Sequence, residues 1–252
     1  MKKRLVLIIS ICVMLGSLSG CGSKASTLED YKKAGKITMG TNAQFPPFEY
    51  FENEKITGFD VELSQKIADK IGVELVVEDM NFTGLLAALS SRKIDFVAAG
   101  MTVDEERLKS VDFSDGYFES SQVIIVMKTN TEIKSKTDLT NKKIGVQMST
   151  TGAKEAKLIE GAVVQEFNAG FAAIMDMKNG KLDAVVLDYE PSRNFVAQNA
   201  DIMLLDENLT EEQYAIAVRK GETELQKVIN EVIKEMKANG EYEALIKKYI
   251  VE

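Results

Sequence analysis

The sequence predicts an α/β protein of two similar lobes, each lobe a mostly parallel sheet with helices on its faces. Three observations support this. From Lys36 on, short β-rich runs alternate with helical patterns. The two cysteines, Cys12 and Cys21, both fall at the start of the chain, so no disulfide framework organises the rest. One helix–turn–strand pattern also occurs twice: "GLLAALSSRKIDFVAAG" ending at Gly100 and "GFAAIMDMKNGKLDAVVLD" ending at Asp188 share an apolar helix, a polar turn, and Lys-Ile/Leu-Asp leading into an apolar strand.

Taken in order, "KITMGT" (36–41) reads as a strand. Asp60 is placed to cap a helix in which Leu63, Ile67 and Ile71 recur at fours beside Ala68, and Gly72 ends it. Residues 73–80 read as a strand, 82–93 as a helix and 94–100 as a strand. Thr102 and Glu105 have capping-box spacing, which predicts a helix start with Arg107 about one turn in. The second half repeats the theme: strand 142–147, a helix from Gly152, strand 162–167, a helix around 171–180 and strand 182–188. Two helical stretches, Glu222 to Asn239 and Glu241 to Tyr249, finish the chain.

The first residues are a leader rather than structure. Lys2, Lys3 and Arg4 precede an apolar run, Leu5 to Leu15, too short for an ordinary membrane span. "LSGC" at 18–21 resembles a bacterial lipobox, which implies cleavage before Cys21 and lipidation of that cysteine. Residues 1–20 are thus expected to be a lipoprotein signal peptide and 21–35 a tether to the membrane, small and polar at "GSKAST". The protein is expected to be exported, anchored to the outer face of the cell membrane or held in the periplasm.

Loss of the leader lowers the basic residues from 31 to 28 against 39 acidic ones, a net charge of −11. That surface disfavours nucleic acid and anionic lipid as partners. There is no histidine, which removes His-dependent nucleophile systems and, with so few cysteines, most zinc and copper sites. No metal or cofactor is implied, and catalysis would have to rest on carboxylate, lysine or tyrosine.

In open α/β sheets ligands bind beyond the carboxyl ends of strands, which directs attention to Thr41-Asn42, Gly100 and Asp188. A helix N-terminus at Thr102 together with the Arg107 guanidinium would suit a carboxylate. Arg107 also stands among acids in "DEERLK", where a surface ion pair is the simpler reading. Asp188 either caps the following "YEPSRNF" helix or meets an ammonium group. Together, Arg107 and Asp188 could grip the two ends of a zwitterion.

"TNAQFPPFEYF" with "GFDVEL", "MNFTGLLAALSSRKIDFVAAGMTVDEER", "VDFSDGYF", "KIGVQMSTTGA" and "KLDAVVLDYEP" resembles the family 3 extracellular solute-binding proteins, the amino-acid receptors of ABC importers, from about Lys36 to Tyr249. The resemblance implies a type II periplasmic-binding-protein fold, with lobe 1 formed by 36–118 and 216–252, lobe 2 by 119–215, and a two-strand hinge near "YFESS" and "EQYAI". It implies that Arg107 holds the ligand α-carboxylate with help from Gly100, Thr102 and the turn Ser149, Thr150, Thr151, and that Asp188 holds the α-ammonium. Phe45 and Phe82 would flank the ligand side chain, although Phe82 also continues a helical core stripe with Leu85, Leu86 and Leu89. Asn42 and Gln147 would tune selectivity. Both are neutral, so a polar uncharged amino acid such as glutamine is expected, with a basic one next.

The partners so implied are a small amino acid, ABC permease subunits and, through the anchor, the membrane; a monomer is expected. The same fold hosts a cyclohexadienyl dehydratase, which would need a buried acid in the side-chain pocket. Glu49 and Glu119 lie near the relevant motifs, but neither is placed in the pocket by them, so no enzyme is expected. A sensory module is disfavoured because the chain ends once lobe 1 closes. Pro46-Pro47 is expected to stiffen the loop that presents Asn42 and Phe45.

Overall fold

The computed structural model describes residues 25–250; Cys21 and the leader lie outside them. Among the described residues the chain forms two five-stranded sheets of matching design. The first runs, edge to edge, Glu74–Asp79, Lys36–Thr41, Phe96–Val97, Ala217–Arg219 and Val111–Phe113. Its first three strands are parallel and the last two antiparallel to their neighbours. The second runs Val163–Phe167, Lys143–Gln147, Ala184–Asp188, Gln122–Met127 and Ile202–Asn208, with the same parallel-then-antiparallel pattern. The internal sequence echo is therefore an echo of lobe construction.

Continuous apolar runs explain why both faces of each sheet are covered. Residues 184–188 are buried without alternation, which requires helices on both sides. One side of the first sheet packs Leu63, Ile67 and Ile71 of the helix Phe59–Ile71 with Leu225, Ile229 and Val232 of the helix Thr223–Asn239. Its other face packs Leu85 and Leu89. Two separate clusters flank the second sheet, one around Ile144 and Val186, the other around Ala173 and Val185. Two strands cross between the lobes, Phe118–Ser120 and Glu212–Tyr214, paired antiparallel, and Thr102 bridges to Tyr214 beside them.

Three local expectations change. Asp60 does not cap its helix: Gly58 holds that position, and Asp60, fully buried, accepts from the Gly100 N–H (2.9 Å) and the Tyr117 hydroxyl (2.7 Å). Tertiary donors outcompete the local ones that cap spacing presumes. No α-helix starts at Thr102, because its hydroxyl is spent on Glu212 at 2.7 Å. Only a single turn forms, with Asp104 accepting the Arg107 N–H at 2.8 Å. Within the segment read as tether, Leu28–Ala34 forms a helix with Thr27 in a capping box, docked by Tyr31, whose hydroxyl lies 3.2 Å from Glu222 and 3.1 Å from Arg219.

Gly58 shows how tightly the "FPPFEYF" loop is seated. Its φ is 130°, and a Cβ there would run into the Phe48 carbonyl oxygen, the same oxygen that accepts the Asp60 N–H at 3.0 Å. Gly58→Ala is expected to lose more than about 2 kcal/mol of stability, read as a lowered midpoint in urea with an unchanged slope; a midpoint equal to wild type would contradict this seating.

Candidate ligand-binding site

The carboxyl ends of both sheets face each other across a narrow cleft. Lobe 1 lines it with Asn42, Phe45, Gly100, Thr102 and Arg107, and with Phe82. Lobe 2 contributes Gln147, Thr150, Thr151 and Asp188. Ser149 does not line it; its carbonyl oxygen accepts from Arg107 Nη2 at 3.0 Å, across the cleft. Gln147 Nε2 likewise reaches Asn42 Oδ1 at 3.1 Å. The lobes are thus closed on one another.

The local reasons are legible. Gly100 has φ 52°, and a Cβ there would lie 2.5 Å from Phe45 Cε1, so only glycine lets that ring close over the strand end. Thr150 caps the helix Thr151–Lys157, its hydroxyl accepting the Ala153 N–H at 3.2 Å. Phe82 is half-buried and lies 5.4 Å under the Arg107 guanidinium, whereas Leu85 and Leu89 are fully buried. The helical stripe therefore divides: Leu85 and Leu89 lie in the core, Leu86 and Phe82 pack against its edge, and Phe82 also reaches the cleft.

Arg107 is 7 % exposed, and its Nη1 donates to the Thr102 carbonyl at 2.6 Å. Each terminal nitrogen carries two N–H groups, so one on each stays unspent: a fork shaped for a carboxylate. Burial draws Arg107 below the ordinary guanidinium range, opposed by Asp104 and Asp188, yet it stays charged. Asp188 occupies the cap position of the helix Tyr189–Gln198 without capping it. Its Oδ1 instead accepts from the Tyr214 hydroxyl at 2.6 Å, which in turn receives Ser120 Oγ at 3.0 Å.

Two acids were not foreseen in these places. Glu49 lines the cleft and is fully buried, while Glu119 is exposed and holds Gln213. Burial and then the neighbouring Asp60 push Glu49 well above the carboxylate range. Glu212, on a crossing strand, accepts from Thr102 of lobe 1 (2.7 Å), Thr151 of lobe 2 (2.9 Å) and Gln122 (3.3 Å). These partners lie 61 to 110 residues away in sequence, so no local spacing announces them.

Residues 37–252 match the family model described as bacterial extracellular solute-binding proteins, family 3. The chain belongs to that family. It is 38% identical to the arginine-binding extracellular protein ArtP of Bacillus subtilis (strain 168), over 99% of this chain and 98% of the relative. It is 37% identical to a probable histidine-binding protein of Campylobacter jejuni, over 86% and 85%. Among solved structures, the P235GK mutant of ArgBP from T. maritima superposes with a TM-score of 0.87 at 44% identity, covering 89% of this chain and 99% of that one. Among the described residues no helix is long and apolar enough to cross a membrane.

Within this solute-binding fold the acidity of the cleft has a cost. Burial first, and then Glu212, raise Asp188 from 3.8 to about 7, against the Tyr214 hydroxyl and Arg107. Between those values the folded chain keeps a proton that the unfolded chain has lost, so stability falls as pH rises through that window. Asp188→Asn, which keeps an oxygen for Tyr214, is expected to be more stable than wild type by up to about 4 kcal/mol near neutral pH without added solute. The gain should shrink toward pH ~4; a difference in unfolding free energy that does not change with pH would refute the assignment.

Proposed function

We propose that this protein captures a basic amino acid, arginine foremost, and presents it to the permease of an ABC importer. Arg107, held by the Ser149 carbonyl, would bind the α-carboxylate, aided by Gly100, Thr102, Thr150 and Thr151. Asp188 would bind the α-ammonium, and the Phe45 and Phe82 rings would flank the side chain. One observation carries the choice of ligand: Glu49, a fully buried carboxyl in the cleft lining to which no described protein group donates. Ionised without a partner, such a carboxyl costs on the order of 3–5 kcal/mol, and a guanidinium is the group that stabilises its ionised form with paired hydrogen bonds.

Asn42 and Gln147 alone put glutamine first. Glu49 reverses that order, and arginine-binding ArtP at 38% identity agrees with the reversal. A buried acid is also what the dehydratase reading asks for. A cyclohexadienyl acid, however, brings a second carboxyl group and no side-chain cation to meet Glu49 in a cleft also lined by Asp188, so a receptor is the better reading. Delivery from outside the cell fits the leader and the lipid anchor read at Cys21.

A thermal-shift panel of the common amino acids tests the class: ligand at ~100 times its Kd adds ~2.7 kcal/mol to stability. Arginine is expected to raise the melting temperature most. Arg107→Ala and Asp188→Ala are each expected to remove the shift while circular dichroism stays native. Glu49→Gln is expected to weaken arginine at least about tenfold, or about 1.4 kcal/mol, and to spare neutral amino acids. A panel in which no amino acid stabilises the protein would overturn the proposal.

A further inference from the structure

Glu49 does not stand alone. Asp60 of the helix Phe59–Ile71 lies against it: the Asp60 N–H donates to the carbonyl of Phe48, the residue before Glu49, at 3.0 Å, both side chains are fully buried, and the Asp60 charge raises Glu49. As two carboxylates the pair would set like charges side by side in a dry site: among the described residues nothing donates to either Glu49 oxygen or to Asp60 Oδ1. One proton resolves the geometry, because a protonated Glu49 can donate to an ionised Asp60. The ionised partner is the one with fixed donors, since Asp60 Oδ2 receives the Gly100 N–H at 2.9 Å and the Tyr117 hydroxyl at 2.7 Å. Burial raises both groups, Asp60 to about 6 and Glu49 well above its ordinary range, which leaves one proton on the pair at neutral pH.

We propose that Glu49 and Asp60 hold one shared proton in the solute-free cleft, and that a ligand with a cationic side chain displaces this proton to solvent, whereas a neutral ligand leaves it in place. The inference rests on the arginine reading above and extends it: Glu49 is a specificity-determining residue whose charge is made only when the right ligand arrives, and Asp60 is its positioning residue. Cation selectivity without a permanently bared charge follows. A neutral amide can still enter, because a protonated Glu49 remains a hydrogen-bonding group, and the preference for a cation then grows as pH rises.

The other ionisable groups around the pair fix how the experiment must be read. Asp79 and Asp188 face Glu49 and add negative charge; Tyr117 stays a neutral hydroxyl, held far above its usual range by burial and by Asp60; Arg107 is the cation in the lining. Burial raises Asp188 to about 7, so any α-ammonium, neutral side chain or not, draws from it the fraction of a proton that it still holds.

Isothermal titration of wild type with arginine at about pH 8, in buffers of differing ionisation enthalpy, separates the two sources. There Asp188 contributes only about a tenth of a proton. Release of close to one proton per arginine is expected, and arginine affinity should fall about tenfold per unit of pH below the titration of the pair. Citrulline, a neutral isostere of arginine, and glutamine should release only the Asp188 fraction. In Glu49→Gln the extra proton should vanish. Arginine binding with release no greater than the Asp188 fraction overturns the shared proton and leaves the arginine reading intact. Failure of arginine to bind overturns the ligand reading and the inference with it.

Discussion

Burial of carboxyl groups with too few cations to match is the constraint around which the rest of the cleft is arranged. Glu49, Asp60, Asp188 and Glu212 are all buried near Arg107. Each is handled differently. Glu212 is surrounded by hydroxyl and amide donors; Asp188 has one strong donor, Tyr214; Asp60 has a backbone N–H and a phenol; Glu49 has a second acid. The order runs from an acid secured by the protein to one that a ligand must complete, and only the least satisfied groups are offered to the solute.

The same constraint organises closure. Glu212 lies on a crossing strand and takes hydrogen bonds from both lobes through Thr102 and Thr151. The crossing is thereby tied to the site and is more than a passive linker. By contrast, the rim pair of Lys154 with Glu106 is substantially exposed, and such pairs contribute at most about 1 kcal/mol each. The rim therefore cannot hold the lobes shut by itself. A ligand bound by Arg107 from lobe 1 and Asp188 from lobe 2 interacts fully only when the lobes are closed, which is the differential affinity that a shift in conformation requires.

Much of this was legible in the chain. Strand–helix alternation and the doubled helix–turn–strand pattern point to two sheets of like design, and Gly72 ends its helix as expected because a left-handed terminal residue favours glycine. The strand ends Asn42, Gly100 and Asp188 converge because ligand clefts form at carboxyl ends of sheets. What sequence hid was the competition for side chains. Asp60 and Thr102 carry cap-like spacing, yet both are claimed by groups far off in sequence, Gly100, Tyr117 and Glu212. Glu49 follows the double proline in what reads as an aromatic cluster, and only the pairing of Phe45 with Glu49 in a short antiparallel ribbon turns its carboxyl inward.

Asp60 shows why these pieces cannot be separated. Through Gly100 it fixes the strand end that borders the expected carboxylate site. Through Tyr117 it reaches the residue that leads into the first crossing strand and whose own N–H pairs with the Tyr214 carbonyl, 2.9 Å away. Tyr214 in turn holds Asp188 in the other lobe. One buried carboxyl group thus supports the strand end at Gly100 and the interlobe crossing and, in the proposed reading, the floor of a side-chain pocket through Glu49. A charge change at that floor is felt by the groups that set closure, because in a dry interior such interactions are weakly screened. If Glu49 meets the solute side chain as proposed, that side chain and the closing of the lobes are coupled through Asp60, Tyr117 and Tyr214.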